Sequence, residues 1–207
     1  MTSETSPPAQ RLLLIALAFG IALRVADFFN CRSLSLDEAR LAVNIAARSF
    51  RGLLSPLAMD QSAPPLFLWG ERAITLLFGQ SDCVLRLLPV VAGTVAAALM
   101  YPLARRFLTP AEAWLAAMIG IFCPLLITYS NTVKQYSVEL LTGIFLLLAW
   151  QRAQAGHLRG RTALTLVAAG VIAPWVSPTS VFVLGACWVE LALAACISVE
   201  TCILLNQ

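Results

Sequence analysis

Two adjacent carboxylates, Asp37 and Glu38, stand in a polar stretch, residues 33–51, whose flanks are apolar enough to lie in lipid. A carboxylate at a membrane surface can take the proton of an attacking hydroxyl if it comes within hydrogen-bond reach. Ser35 followed by Glu38 is a capping box, which predicts a helix start with Asp37 in the first turn, beside the partly positive helix end. Both acids are therefore open to two readings, as catalytic groups or as partners of the helix dipole. Beyond them Ala39, Val43, Ala46, Phe50 and Leu53 fall at helical spacing on one face, and Arg40, Asn44, Arg48 and Arg51 on another. That pattern predicts an amphipathic surface helix.

Cations near the same surface that could hold an anionic group are Arg86, Lys134 and Arg24. For each, snorkelling at a helix end is the alternative. Arg24 and Asp27, three residues apart, can also pair with each other across one helical turn. Lys134 is followed by Gln135, Tyr136 and Ser137, with Glu139 just inside the next apolar run. An acid one turn inside an apolar helix faces a cavity or a partner, so Glu139 is either a substrate contact or an ion-pair partner of Lys134 or Arg86. Glu190 lies deeper in an apolar run and is open to a cavity-lining role. The single histidine, His157, sits in a basic connector and reads as a solvated loop residue rather than a catalytic base.

The elements that must carry these residues are membrane helices. The chain has 207 residues, of which 59% are hydrophobic and 12% charged, with a mean hydropathy of +0.82; that is too apolar for an ordinary soluble domain. A span needs roughly 20 mostly apolar residues. Spans are expected over residues 12–29, 84–104, 109–128, 136–150 and 162–175, with a further apolar run after Ser180 that is broken by Glu190 and Glu200. Thr109 and Glu112 form a second capping box, and Pro124 predicts a kink. The first apolar run lacks the small-residue cleavage pattern of a leader and is expected to stay as a span. Residues 30–82 hold the amphipathic helix and a second helix from Leu66 to Phe78, which is too short to cross easily, carries Glu71 and Arg72, and is expected along or re-entering the interface.

The expected architecture is thus all-α: one polytopic membrane domain over residues 1–207 with about six spans and a long outer loop of interfacial helices. Among short connectors, Arg105, Arg106, Arg152, Arg159 and Arg161 fall on one side and Lys134 alone on the other. By the positive-inside rule the N-terminus is cytoplasmic and the loop at 30–82 extracytoplasmic, which suits an inner, or cell, membrane. The net charge of +3 is too slight to suggest nucleic-acid binding. None of the six cysteines forms a CxxC pair or stands at metal spacing with histidine. Cys31 and Cys83 flank the loop and can pair if that side is oxidising.

Four motifs follow one another on the expected outer surface: Asp-Glu-Ala at 37–39, Pro-Pro-Leu-Phe at 64–67, Phe-Gly-x-Ser-Asp-x-x-x-Arg-Leu at 78–87, and Tyr-Ser-x-x-x-Lys-Gln-Tyr-Ser at 129–137. Each is common alone. In this order they resemble the GT-C-fold glycosyltransferases that use polyprenyl-phosphate sugars, in particular glycosyltransferase family 39, the protein O-mannosyltransferases and the lipid A aminoarabinose transferases. The resemblance implies sugar transfer from a lipid-phosphate carrier to an acceptor hydroxyl on a lipid, glycan or protein, with inversion and with Asp37 as general base beside Glu38. Candidate substrate contacts on this reading are Gln61, Pro64, Pro65, Arg86, Lys134, Tyr136 and Glu139. No cofactor is required, although a divalent cation held by Asp37 and Glu38 with substrate phosphate stays open. Some relatives carry a lysine just before the Pro-Pro step, where this chain has Gln61-Ser62-Ala63, which leaves the sugar open. Relatives are also longer, so a truncated member is expected, with activity of the short chain alone left open. The competing readings are a transporter or flippase-like protein and a non-catalytic membrane fragment.

Overall fold

The computed structural model describes residues 7–154, 161–190 and residue 193, and its regular structure is entirely helical among them. In chain order the helices are α1 (Pro7–Phe29), α2 (Leu36–Ala47), α3 (Pro65–Phe78), α4 (Leu87–Ala104), α5 (Pro110–Phe122), α6 (Pro124–Ser130), α7 (Tyr136–Arg152), α8 (Arg161–Val176) and α9 (Ser180–Glu190). Two segments, Pro8–Phe29 and Val84–Ala104, are long and apolar enough to cross a membrane; α5 and α6 make a third if the bent pair is one span. The 17-residue α7 and the shorter apolar helices within α8 and α9 fall below that length. Glu200, His157 and Arg159 lie outside the described residues.

Packing centres on α4, which touches α1, α5, α6 and α7. Small residues let it do so. A Cβ added at Gly93 would collide with the Ser130 side chain and come within 3.3 Å of the Ser130 Cα, so α4 and α6 meet at a distance only glycine permits. Between α5 and α6 the chain bends by 51°, and Pro124 is the cause. Proline has no N–H to offer the carbonyl four residues back, Gly120, and the bend removes the next donor as well. Arg24 supplies what is missing, donating to the Gly120 carbonyl (3.3 Å), the Ile121 carbonyl (2.8 Å) and the Ser130 hydroxyl (3.3 Å). The expected pairing of Arg24 with Asp27 does not form: the guanidinium, in a residue only 1% exposed, is turned inward onto the broken helix.

The amphipathic helix forms where expected, but on a different face. Its buried residues are Glu38, Leu41, Ala42, Asn44 and Ile45, whereas Val43 is 55% exposed. The helix stops at Ala47 because Arg48 is extended (φ −105°, ψ 149°), so the helical spacing counted through Phe50 and Leu53 does not continue in space. Asn44 faces inward rather than to solvent.

The second loop helix, α3, starts at Pro65 and ends before Gly79, whose φ of 95° is open to glycine without strain. It packs against α2, α4 and α8. Glu71 on this helix is 0% exposed and neither carboxylate oxygen has a hydrogen-bond partner, so burial pushes its carboxyl well above the ordinary glutamate value. A folded state that keeps a proton the unfolded chain has released loses stability as pH rises, beginning near the ordinary value of about 4.3. Thermal unfolding in detergent should therefore show a midpoint that falls with rising pH from that value upward, and Glu71→Gln should remove most of this slope. An unchanged slope in Glu71→Gln would place the titration elsewhere.

Candidate functional site

The start of α2 is built by the capping box: the Ser35 N–H donates to Glu38 Oε2 (2.9 Å) and the Glu38 N–H to Ser35 Oγ (3.4 Å). The same Glu38 then reaches across the molecule. Its Oε1 accepts the Val133 N–H at 2.8 Å, from the turn between α6 and α7, and faces Arg86 Nη2 at 3.6 Å, an ion pair too long for a hydrogen bond. Arg86 is held in turn by the carbonyls of Asn131 (2.8 Å), Arg32 (2.6 Å) and Asp82 (3.3 Å). Burial works against the Glu38 charge, but the Val133 N–H, Ser35 and Arg86 outweigh it and hold the carboxyl below its ordinary value. Removing one member of such a buried pair typically costs about 3–5 kcal/mol.

One residue away on each strand of chain lies a second contact of different character. Lys134 Nζ is 2.7 Å from Asp37 Oδ2, and the lysine side chain is 11% exposed while the aspartate is 62% exposed. Gln61 closes the triangle: its Nε2 donates to Asp37 Oδ1 (3.0 Å) and its Oε1 accepts from Lys134 Nζ (2.9 Å). A pair with one exposed partner contributes only about 0–1 kcal/mol to stability. The hydrogen bonds from Lys134 and Gln61 hold the Asp37 carboxyl below its ordinary value, ionised at neutral pH.

Gln61 reaches this place through an unusual turn. Met59 and Asp60 both have positive φ (59° and 53°), a conformation that costs non-glycine residues energy and gathers at functional sites. Asn44 holds the loop down, taking the Ala58 N–H on Oδ1 (2.8 Å) and giving its Nδ2 to the Ala58 carbonyl (3.1 Å). Sequence reading missed Asn44, because polarity placed it on the outer face; its one signal was lying seven residues past Asp37, on the same side of the helix.

Pro64 caps α3 and Pro65 begins it, so the Pro-Pro step ends the loop that carries Gln61. Tyr136 stands at the start of α7, its ring 4.6 Å from that of Tyr129. Glu139 is half-buried one turn further on and pairs with neither Lys134 nor Arg86, which are taken by Asp37 and Glu38. Glu190 is exposed on the surface of its helix and accepts from Trp150 (2.9 Å) and Gln154. Arg24 is far from open space, beneath backbone carbonyls. Cys31 and Cys83 are disulfide-bonded, their Cα atoms 5.2 Å apart, and so join the segments whose Arg32 and Asp82 carbonyls hold Arg86. Asp37 and Glu38 face opposite ways, one outward and one into the core, so they do not together chelate a cation; among the described residues no group of three His, Cys, Asp or Glu side chains could hold a metal ion.

The family model described as dolichyl-phosphate-mannose-protein mannosyltransferase matches residues 62–195. No curated protein and no solved structure matches the chain. The geometry itself makes a direct prediction. Since Lys134 is the largest cause of the lowered Asp37 pKa, Lys134→Gln should move the Asp37 titration upward, as followed by carboxylate NMR or infrared absorption. A titration that stays in place would show that the contact does not persist in the membrane.

Proposed function

Starting from the fact that the chain belongs to the dolichyl-phosphate-mannose-protein mannosyltransferase family, we propose that it moves a sugar from a polyprenyl-phosphate carrier to an acceptor hydroxyl, with Asp37 as general base. Family membership carries the general activity of a glycosyltransferase that uses a polyprenyl-phosphate sugar. The observation that carries the finer reading is the exposed Asp37 carboxylate 2.7 Å from a nearly buried lysine.

In the proposed reaction the acceptor oxygen attacks the anomeric carbon from the face opposite the phosphate. Its proton passes to Asp37, the carbon–oxygen bond to phosphate breaks, and the configuration inverts. The departing polyprenyl phosphate carries the electron pair away and is met by Lys134. The two residues are coupled. A donor phosphate competes for Lys134, and a carboxylate that loses its lysine becomes a stronger base at the moment it is needed. In this reading Gln61, Tyr136, Glu139, Pro64 and Pro65 contact substrate, while Glu38 and Arg86, closed into the core, position the turn that carries Lys134.

The proposed topology is that of a multi-pass protein of the cell membrane with a cytoplasmic N-terminus and the loop at 30–82 outside. Two independent features support it: the basic bias of the short connectors and the Cys31–Cys83 disulfide, since disulfides persist in oxidising compartments. The acceptor, a lipid, glycan or protein, meets the lipid-borne donor at that surface. In an active parent, assayed in membranes with a panel of polyprenyl-phosphate sugars, Asp37→Asn should lower transfer by about 10²- to 10⁴-fold with normal membrane insertion. Transfer within a few-fold of the parent would remove Asp37 from the reaction.

A further inference from the structure

A cavity of about 540 Å³ opens between α4, α7 and α8 and runs along α7 from Thr142 to Arg152, whose end of the helix lies away from Asp37. Its walls are apolar, with Leu99 from α4, Phe145 and Leu148 from α7, and Leu166 and Ala169 from α8; among the described residues the one charge at its wall is Arg152. Arg152 is exposed and has no ion-pair partner among the described residues. The acid nearby in the fold, Glu190, is held by Trp150 and Gln154, which stand four residues apart on one face of the helical turn, while Arg152 between them faces the other way. Arg105 and Arg106 close α4 at this same end, and the connector from Gln151 to Arg161 contains no acidic residue.

A long apolar groove whose one charge among the described residues, Arg152, stands at its mouth is shaped for an amphiphile with an anionic head. We propose that it holds one anionic glycerophospholipid, with an acyl chain lying between α7 and α8 and the phosphate on Arg152. The occupant is not the sugar donor. The 17 residues of α7 extend about 26 Å at 1.5 Å per residue, so a phosphate on Arg152 is nearly a bilayer thickness from Lys134, at the other end of the helix. A zwitterionic lipid fits less well, because among the described residues Arg152 has no ion-pair partner and the nearby acid, Glu190, is already held by Trp150 and Gln154. Basic pockets between membrane helices bind anionic head groups in this way.

Native mass spectrometry of the full chain, equilibrated with equal phosphatidylglycerol and phosphatidylcholine, tests the proposal. Phosphatidylglycerol should be retained with a preference of about fivefold, the factor one basic residue supplies near an anionic head group. Arg152→Gln should bring the preference close to one, Arg152→Lys should keep most of it, and Ala169→Phe, which fills the groove, should lower retention of both lipids. Equal retention by the parent, or a preference untouched by Arg152→Gln, overturns the proposal. Displacement of the phospholipid by added polyprenyl phosphate would give the groove to the donor instead, and a lipid-free dimer would give it to a second copy. If Ala169→Phe fails to fold, the two Arg152 variants decide alone.

Discussion

The bond from the Val133 N–H to Glu38 Oε1 is the constraint on which the site depends. It joins the first turn of α2 to the turn before α7, two segments separated by 95 residues of chain. Because Asp37 precedes Glu38 and Lys134 follows Val133, fixing the inner pair brings the outer pair face to face. Neighbouring residues on a helix start point in different directions, so one carboxylate goes into the core and the other stays in water. The buried contact supplies the rigidity, and the proposed chemistry falls to the outer one. Arg86 secures the arrangement from below, and the disulfide ties together the two segments that secure Arg86.

A second set of contacts keeps the turn itself in place. Arg24 gives its donors to carbonyls that Pro124 and the bend leave empty, and Asn131, at the end of the same bent element, returns an Nδ2–H bond to the Arg24 carbonyl (3.2 Å). Asn131 also offers its own carbonyl to Arg86. Broken helix, buried arginine and the turn that carries Lys134 are therefore one connected network, built from groups that would each be costly to bury alone. Gly93 admits that network to the centre of the bundle.

Much of this was legible in the sequence, and the parts that were not have a common origin. Capping boxes at Ser35 and Thr109, the kink at Pro124 and the helix borders at Pro65 and Gly79 all depend on residues close together in the chain, where local chemistry decides. Asp37, Lys134 and Gln61 could be proposed for one surface, and the fold places them in hydrogen-bond contact. Glu38, by contrast, was grouped with Asp37 as a catalytic acid, since adjacency in sequence does not reveal that one side chain is buried at a partner 95 residues away. Arg24 and Asn44 were misplaced for the same reason. A buried arginine whose partners are all neutral oxygens leaves no acidic signal in the sequence, and an asparagine that clamps a loop has the pattern of a solvent-facing residue.

The central claim is that Glu38 acts on Asp37 through the position of Lys134, and the sign of one pKa change tests it. Loss of a neighbouring negative charge by itself lowers a carboxyl pKa, whereas loss of a lysine contact raises it. The Asp37 titration should be followed in the parent, Glu38→Gln, Lys134→Gln and the double variant. The expected result is that Glu38→Gln raises the Asp37 pKa when Lys134 is present and no longer raises it in the Lys134→Gln background. A fall in the Asp37 pKa on Glu38→Gln, or a shift of the same size with and without Lys134, would contradict the positioning role.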